Sequence, residues 1–347
     1  MRILVVNAGS SSLKLSVLVG DDVVDADVDL DVLEGIDAVG HRIVHGGTEF
    51  VEPVVVDETV LRRLQAIADL APLHQPKSLR ALELVGGKLP GVPAVACFDT
   101  AFHARIPPPA ATYALPREWS RRWGLRRFGF HGLSHAYASR RASELARVPL
   151  EQLRIVTCHL GAGASLAAVR GGVSVDTTMG FTPLDGLVMA TRSGSVDPGL
   201  VLWLAEHVGV SELASTLEHR SGLAGLAGTG DMKAVLEAEE AGDEGAALAV
   251  EVYLHRLRRE IGAMAAALDG VDALVFTGGV GERSAAIRRR ACEGLGFLGV
   301  EIDPARNAAL ALDDEISSAG ATARTFVVAA REDIEIARGV RSALALE

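Results

Sequence analysis

The chain has 347 residues, of which 49% are hydrophobic and 23% charged, and it carries a formal net charge of −11 at pH 7. This length suffices for two domains with a core in each, and no apolar run approaches the ~20 residues of a membrane span. The acidic balance argues against a general nucleic-acid binder, which needs a basic footprint. Anionic small substrates stay open, because a negative surface can still hold a local basic cleft.

The N-terminus and the cysteines both point to a reducing compartment. The segment MRILVVNAG runs directly into a predicted strand without a signal-peptide cleavage pattern, so we expect a cytoplasmic protein. Cys97, Cys158 and Cys292 are set in apolar sequence without metal-ligand spacing. We therefore expect them to be reduced residues of the core.

The N-terminal part of the chain predicts a mixed α/β structure. An apolar strand at residues 3–6 and a returning strand at 13–19 flank the small, polar turn NAGSSS. Further strands are predicted at 23–30, 38–44 and 92–98, and helices at 61–71, ended by Pro72, and at 78–85, stopped by Gly86 and Gly87. The last of these strands delivers Asp99 at its carboxyl end, where α/β sheets commonly place their ligands.

The central part repeats the first motif. Residues 106–116 are rich in proline and predict a loop, and RRFGFHGLSH at 126–135 leads into a helix. A strand at 155–158 and a second one running to Val169 then flank the tip GAGA. Because residues without bulky side chains let backbone N–H groups approach phosphate oxygens, the two hairpins indicate a duplicated architecture with one phosphate hairpin in each half.

The remaining chain continues the alternation of strands, helices and glycine loops. Residues 179–199 form a long irregular stretch, which inside a compact domain is usually functional. The other predicted elements are strands at 173–177, 272–276 and 325–329, helices at 200–206, 246–268 and the C-terminus, and the glycine loop TGGVGE at 277–282.

Polar side chains at the predicted strand ends form a set suited to phosphoryl transfer. The set consists of Asn7, Lys14, Arg42, His74, Asp99, His131, His159, Arg192 and Glu332. Phosphoryl transfer needs cations and donors around the phosphoryl oxygens, a holder for a metal ion and in-line positioning of the acceptor. Arginine forks match carboxylate and phosphate, and carboxylates are ligands that Mg²⁺ accepts. Each of these residues taken alone also fits a purely structural role.

Long segments in a fixed order resemble the acetate kinase family, which includes acetate and propionate kinases. The resemblance covers nearly the whole chain: VNAGSSSLK at 6–14, GHRIVHGG at 40–47, APLHQP at 71–76, FDTAFH at 98–103, RFGFHGLSH at 127–135, CHLGAG at 158–163, DTTMGFTPLDGL at 176–187, TRSG at 191–194 and FTGGVGE at 276–282. It implies a two-domain, actin-like ATPase fold of the α/β class, with duplicated βββαβαβα units around a nucleotide cleft. It also implies reversible phosphoryl transfer from ATP to acetate by direct in-line attack, with Mg²⁺ or Mn²⁺.

The resemblance assigns roles to individual residues of this chain. Arg42, Asp99, His131 and Arg192 would be catalytic, with His131 and Arg192 stabilising the transition state, and Asn7 and Glu332 would belong to the metal site. The residues implied to bind ATP are Ser10, Ser12, Lys14, His159, Gly161, Gly163, Gly278, Gly279 and Gly281. Arg42 would also hold the substrate carboxylate, and Val44, Leu73, Phe130 and Pro183 would form an apolar pocket for its methyl group.

The chain departs from the family pattern at several positions. The family's HLGNG becomes HLGAG with Ala162, and GEN becomes Gly281-Glu282-Arg283. Ser195, Gln75 and Arg331 also replace usual residues, and the segment between Val19 and Gly40 is shorter than in the family. Two changes touch the nucleotide side, where Arg283 would either reach a phosphate or ribose or point to solvent.

Several alternatives stay open at this point. They are a propionate or butyrate kinase, a member that uses another phosphoryl donor, a nucleotide-binding sensor without catalysis, and a heat-shock type ATPase, which would need an appended peptide-binding domain. We expect an acyl-substrate-side domain at 1–98 plus 334–347 and a nucleotide-binding and dimerisation domain at 99–333. A homodimer is implied by the resemblance, and neither nucleic acid nor membrane is expected as a partner.

Overall fold

The computed structural model describes residues 1–8, 13–26, 28–30, 33–72, 74–309 and 311–345. Contacts between Cα atoms divide the chain into two compact units. The first comprises Met1–Ala104, Phe130–Tyr137 and Arg331–Glu347, and the second comprises Arg105–Gly129 and Ala138–Ala330. This division does not address the roles predicted for the two domains, which stay predictions.

The first unit is built on a six-stranded mixed sheet. Its strands are β1 (Arg2–Ala8), β2 (Leu13–Val19), β3 (Asp22–Ala26), β4 (Ala38–Ile43), β5 (Val54–Val55) and β6 (Ala94–Phe98), in the order β3-β2-β1-β4-β6-β5. Strands β1, β4 and β6 run parallel, whereas β2, β3 and β5 pair antiparallel with their neighbours. The carboxyl ends of the three parallel strands therefore lie at the same edge of the sheet.

Helices cover both faces of this sheet. Helices α1 (Glu58–Ala66) and α2 (Gln75–Lys88) lie on one face, where Val39 and Val85 belong to one apolar cluster and Ile43 and Leu64 to another. The C-terminal helix, α14 (Glu332–Ala343), lies against β4 and β6. Because both faces are buried, the central strand β1 reads as the continuous apolar run that the sequence shows at residues 3–6.

The second unit repeats the sheet of the first. Its strands are β7 (Arg154–Leu160), β8 (Ala164–Arg170), β9 (Val173–Thr177), β10 (Ala273–Thr277), β11 (Asp314–Glu315) and β12 (Arg324–Val327), in the order β11-β12-β10-β7-β8-β9. Strands β7, β10 and β12 are parallel, and β7, β8 and β9 form antiparallel hairpins. Read from the hairpin side, the two sheets have the same strand order and direction, which confirms the predicted duplication.

The connections hold the remaining helices. They are α3 (Pro108–Ala111), α4 (Arg117–Trp123), α5 (Gly132–Ala146), α6 (Pro198–Val208), α7 (Val210–His219), α8 (Gly222–Ala227), α9 (Met232–Glu240), α10 (Glu244–Ala267), α11 (Gly278–Arg283), α12 (Ala285–Cys292) and α13 (Pro304–Ala308). Short 3-10 helices occur at Ala68–Leu70, Ala101–His103, Leu150–Gln152 and Gly296–Leu298. Between β3 and β4 the first unit has no helix in the described residues 28–30 and 33–37.

Aspartates define the start of several helices. Asp57, Asp197, Asp231, Asp243 and Asp303 each accept a backbone N–H of the first helical turn that has no intrahelical partner. Part of the acidic composition therefore has a local structural cause and is not evidence of an acidic binding surface.

Several local expectations were wrong. Strand β3 ends at Ala26 and residues 28–30 are not a strand, and helix α1 ends at Ala66 and is followed by a short 3-10 helix. Helix α2 does not stop at Gly86 but runs through both glycines to Lys88, because its buried residues Leu79, Leu82 and Val85 anchor it to the sheet. The proline-rich stretch at 106–116 contains the short helix α3, with Pro108 at a position that tolerates proline. The glycine loop at 277–282 is itself helical, since α11 begins at Gly278.

Two other expectations concern the cysteines and the membrane. Cys97, Cys158 and Cys292 are free and buried, as predicted. Across the part of the chain that the structure describes, no helix combines the length and the apolar character needed to cross a membrane.

Gly40 and Gly86 offer a matched test of the packing. A Cβ at Gly40 would lie 2.5 Å from Ile336 Cγ2 and 2.8 Å from Val340 Cγ2, whereas a Cβ at Gly86 meets nothing within 4 Å. We expect Gly40→Ala to lower the free energy of unfolding by about 1–3 kcal/mol through overpacking. Gly86→Ala should raise it by about 0.5–1 kcal/mol, because alanine costs less entropy in a helix. Thermal unfolding, monitored by circular dichroism, shows whether each variant is more or less stable than the native chain. An unchanged stability of Gly40→Ala would contradict the close contact of α14 with β4.

Candidate functional site

The carboxyl edge of the first sheet gathers four of the predicted site residues. Asn7 lies near the end of β1, Arg42 near the end of β4, and Asp99 directly after β6. Glu332 is the first residue of α14, which packs on the same sheet. The parallel strands thus place at one edge side chains that are far apart in the sequence.

Arg42 is the centre of this group. Its Nε and one terminal nitrogen donate to the two oxygens of Asp99 at 2.9 and 2.6 Å, and its other terminal nitrogen donates to Asn7 Oδ1 at 3.1 Å. The same nitrogen lies 3.5 Å from Glu332 Oε2, to which Asn7 Nδ2 donates at 2.9 Å. The four side chains form one network of hydrogen bonds and ion pairs, which we call the Arg42 network.

The Arg42 network is almost removed from solvent. The side chains of Arg42 and Glu332 are 14% and 13% exposed, and that of Asp99 is 1% exposed. Burial opposes the charge of the guanidinium, but Asp99 and Glu332 together raise the pKa of Arg42 above its ordinary value. Burial raises the pKa of Asp99, and the contact with Arg42 offsets part of that shift. The guanidinium is therefore a permanent, oriented cation at the strand ends.

His131 is held next to this edge by an unusual backbone conformation. Its φ is +55°, in the left-handed region that non-glycine residues rarely occupy. The following residue, Gly132, donates its N–H to Asp99 O at 2.9 Å, and a Cβ there would lie 2.2 Å from the same oxygen. Such strain persists only where the surroundings enforce it, and it is frequent at active sites.

A layer of buried polar side chains lies beside the predicted acyl pocket. The Phe130 ring packs edge-on against the His45 ring, with centroids 5.5 Å apart, and His103 Nε2 is 3.0 Å from Phe130 O. Gln75 binds the backbone of His45 in both directions, with its amide N–H donating to His45 O at 3.0 Å. Val44 is buried and follows β4 directly. Phe130 is thereby fixed from several sides.

Three predicted residues lie outside the described residues, namely Ser10, Ser12 and Leu73. Lys14 is described and is exposed; it stands opposite Asn7 in the pairing of β1 with β2. The first phosphate hairpin is therefore described at its two strands only.

The second hairpin, between β7 and β8, is described completely. Gly161 donates its N–H to Gly163 O at 3.0 Å across the tip, and His159 pairs with Ser165 below it. The carbonyl of Ala162 accepts the N–H of Ala190 at 3.1 Å. The hairpin tip is thus attached to the loop that carries Arg192.

Contacts from the helices α7 and α8 hold this loop and Arg192 in place. Arg192 Nε donates to Glu218 Oε2 of α7 at 3.1 Å, and a terminal nitrogen lies 3.4 Å from Pro183 O. The first residues of α8 bind the loop as well, since Leu223 donates its N–H to Met189 O at 3.0 Å. The predicted residues Arg192 and Pro183 are therefore brought together, and Glu218 orients the guanidinium.

Helix α11 carries the predicted glycines Gly278, Gly279 and Gly281. Gly278 has a φ of +77°, and a Cβ there would lie 2.9 Å from Leu160 O, so only glycine fits at this turn. The side chain of Glu282 accepts the N–H of Gly278 and that of Ala330. At the other end, the buried Arg288 donates to the carbonyls of Gly281 and Glu282.

A cavity of about 720 Å³ opens between the second hairpin and the helices α9, α11 and α12. Gly161 and Ala162 line it on the hairpin side, and Gly279 and Arg283 on the side of α11. Its apolar walls include Met232, Leu236, Val280, Ala285 and Ala286. This size and lining suit a small organic molecule.

Tyr253 carries a buried polar group close to the cavity. The residue lines the cavity and is 3% exposed, yet its hydroxyl has no hydrogen-bond partner among the described residues. Burial raises the pKa of this hydroxyl, so it stays a neutral donor. The hydroxyl itself has almost no accessible surface, so the aromatic ring and not the hydroxyl faces the cavity.

Sequence reasoning missed the residues that position the site. Glu218 and Arg288 lie outside the segments that carry the chemistry, and Glu282 lies inside the glycine segment 277–282 without a predicted role. Their partners Arg192, Gly278 and Asn307 are close only in the folded chain. The available signal was the charge itself, because a buried arginine or glutamate requires a partner.

Most of the chain is similar to proteins of one family. A model of the Acetokinase family matches residues 21–338. A protein of Synechococcus sp. (strain JA-2-3B'a(2-13)) named acetate kinase is 50% identical over 89% of this chain and 77% of its own length.

Solved structures of an acetate kinase and a propionate kinase are also similar to this chain over nearly its whole length. The acetate kinase of Porphyromonas gingivalis has a TM-score of 0.91 at 34% identity, covering 99% of this chain and 100% of that one. A propionate kinase of Francisella tularensis has a TM-score of 0.89 at 34% identity, covering 97% and 98%. The predicted α/β, two-domain fold and the predicted family are confirmed.

Three buried histidines predict a loss of stability in acid. Burial lowers the pKa of His41, His45 and His103 from 6.5 to about 4, with the contact to Phe130 O opposing the shift at His103. The unfolded chain therefore takes up protons first, and stability falls as the pH drops from about 6.5 towards 4. Each ring can contribute a loss of up to ~2 kcal/mol at pH 5.

Guanidinium unfolding at pH 7, 6 and 5 measures this loss. We expect the midpoint to decrease with each step, and His255→Gln, a change at an exposed ring of α10, should leave the pH dependence unaltered. A midpoint constant between pH 6.5 and 5 would contradict the burial of the three rings in neutral form.

Proposed function

The chain belongs to the acetate kinase family, and from this premise we propose that it transfers the γ-phosphoryl group of ATP reversibly to acetate, forming acetyl phosphate and ADP. The observation that carries the proposal is the Arg42 network, in which an oriented cation, two carboxylates and an amide meet at the carboxyl edge of a parallel sheet. A protein that only binds nucleotide has no need for cations directed at a transition state.

We assign Arg42 to the acceptor carboxylate. A guanidinium has more N–H donors than Asp99, Asn7 and Glu332 occupy, so it can hold a substrate oxygen without breaking the network. Asp99 fixes the plane of the guanidinium through its two-point contact. A carboxylate held in this way can present its second oxygen to the γ-phosphorus for in-line attack, with no phosphoenzyme.

We assign Arg192 and His131 to the transferring phosphoryl group. Negative charge spreads over its equatorial oxygens in the transition state, and donors fixed in advance stabilise it at low reorganisation cost. Glu218 and the contact to Pro183 O fix Arg192, and the strained turn fixes His131. These contacts support the assignment because they hold both groups in one orientation.

The donor set of the Arg42 network fits a magnesium ion. The carboxylates of Asp99 and Glu332 and the amide oxygen of Asn7 are hard oxygen ligands, and Mg²⁺ commonly takes one or two protein carboxylates and completes its shell with water and phosphate. We propose that Asn7 and Glu332 hold Mg²⁺, or Mn²⁺, and that the ion neutralises phosphate charge when bound.

We place the adenosine of ATP in the cavity beside α11. Its apolar walls suit a nucleobase, and Gly279 offers open backbone on the way to the second hairpin. His159, Gly161 and Gly163 would receive phosphate oxygens at that hairpin, and Lys14, Ser10 and Ser12 at the first. Gly278 and Gly281 are assigned to the adenosine side with Gly279.

Val44, Leu73, Phe130 and Pro183 are assigned to the acyl pocket. One methylene changes binding by only about 1–3 kcal/mol, so propionate would be accepted more weakly than acetate. The likeness to a propionate kinase favours the same second candidate, and the ratio of kcat/KM for the two acids decides between them.

We propose a cytoplasmic homodimer that uses helix α6. Its residues Leu202 and Trp203 are 69% and 55% exposed, Val210 just beyond it is 74% exposed, and no residue of this helix is buried. An apolar helix face of this kind exceeds what a monomer normally leaves to water. A second copy, presenting the same face, would cover it.

The function is tested by the hydroxamate assay for acetyl phosphate. We expect turnover with acetate, Mg²⁺ and ATP, and a fall of about 10²–10⁴-fold in kcat for Arg192→Ala, because a donor to the transition state is lost. Arg220→Ala removes an exposed arginine beyond the same helix α7 and is the matched control. Near-normal turnover of folded Arg192→Ala would refute its role, and turnover only with GTP or pyrophosphate would refute ATP as the donor.

The dimer is tested by light scattering after size-exclusion chromatography. The native chain should elute at twice the monomer mass, and the variant Leu202→Asp with Trp203→Asp should elute as a monomer, since a charge on an apolar interface is costly. Leu312→Asp, at an exposed leucine that is not part of α6, should stay dimeric. A native chain of monomer mass at micromolar concentration would contradict the proposal.

A further inference from the structure

We propose that Arg283 binds the α-phosphate of the nucleotide and thereby sets the affinity of this chain for phosphorylated donors. The inference rests on the proposed function, because it requires the nucleotide to occupy the cavity beside α11. Arg283 occupies a position at which the acetate kinase family has asparagine.

The position of Arg283 places its charge beside open backbone. The side chain lines the cavity, and one terminal nitrogen lies 3.3 Å from the point where a Cβ of Gly279 would be. Since Gly279 has no side chain, a ligand can approach its backbone closely. A ligand atom in contact with Gly279 therefore comes within reach of the guanidinium.

The guanidinium of Arg283 is not engaged by another group in the part of the chain that the structure describes. Among the described residues no hydrogen bond or ion pair holds its guanidinium, and the residue is exposed. The other cation of the cavity, Lys233, lies 3.8 Å from Glu237 in an ion pair on α9. The carboxylates of Asp231, Glu237 and Glu240 lie on or next to α9. The wall formed by α9 thus repels phosphate, and the side of α11 attracts it.

Two departures from the family pattern meet at this cavity. Ala162 at the hairpin tip and Arg283 on α11 both line it. The methyl group of Ala162 offers no hydrogen bond, whereas Arg283 adds a full positive charge. We infer that the cation compensates for the amide lost at the hairpin tip, and that recognition has moved from a neutral hydrogen bond to an ion pair.

A ladder of ligands isolates the phosphate contact. Calorimetric titration with adenosine, AMP, ADP and MgATP is carried out on the native chain and on Arg283→Ala, Arg283→Asn and Arg283→Lys. The affinity for AMP, ADP and MgATP should fall about tenfold in Arg283→Ala and Arg283→Asn, the scale of one charge-assisted hydrogen bond at a partly exposed site. The affinity for adenosine should not change, and Arg283→Lys should retain part of the effect. Added salt should weaken AMP binding to the native chain more than to Arg283→Ala.

A matched control and two possible results test the phosphate contact of Arg283. Arg289→Ala removes an exposed arginine from the neighbouring helix α12 and should bind every ligand like the native chain. An equal loss for adenosine and AMP would overturn the proposal in favour of a contact to ribose or base, and unchanged affinity for AMP would place the guanidinium in solvent. These titrations need no turnover, so they can refute the role of Arg283 while the kinase assay still supports the proposed function.

Discussion

The contact between Arg42 and Asp99 is the constraint on which the first unit depends. It joins the ends of two parallel strands by a two-point ion pair with an oxygen of Asp99 at 2.6 Å, and Asp99 is 1% exposed. Burying such a pair is not a source of stability in itself, because the loss of hydration offsets much of the attraction. It is tolerable only when the remaining polar atoms also have partners. Asn7 and Glu332 supply those partners, so the polar edge of the sheet is formed completely or not at all.

The same requirement explains why α14 belongs to the first unit although it is the last element of the chain. Glu332 brings the start of this helix to the strand ends, and two glycines let the rest come close to the sheet. A Cβ at Gly40 would lie 2.5 Å from Ile336 Cγ2, and a Cβ at Gly339 would lie 2.7 Å from Cys97 Sγ. Helix and sheet are therefore in near backbone contact, and the electrostatic network is fixed by packing at one end and by hydrogen bonds at the other. In the second unit, hydrogen bonds of Arg288 and Glu282 to the backbone of α11 fix this helix in a comparable way.

The sequence allowed prediction of what depends on neighbours along the chain. Apolar runs predicted the parallel strands, and the strand ends predicted where Asn7, Arg42 and Asp99 would lie, because parallel strands share an edge. Pairings across the chain were out of reach: Glu218 is an ordinary helix residue until the loop folds back and brings Arg192 to it. Propensity misled at α2, where Gly86 and Gly87 each cost about 1 kcal/mol in a helix. Burial of Leu79, Leu82 and Val85 outweighs that cost.

The positions of the departures from the family pattern follow from how binding energy is used. Groups that touch the reacting atoms act on the transition state, where a misplaced donor cannot be replaced by one elsewhere. Under the proposed assignment, Arg42, Asp99, His131 and Arg192 are such groups, and all four lie in segments that match the resembling motifs. Binding of the remote part of a nucleotide is a sum of contacts along a cavity, and there a weaker contact at one wall can be offset by a stronger one at another. Ala162 and Arg283 lie on two walls of the cavity in which we propose that the adenosine binds, so the change falls where binding tolerates exchange between contacts.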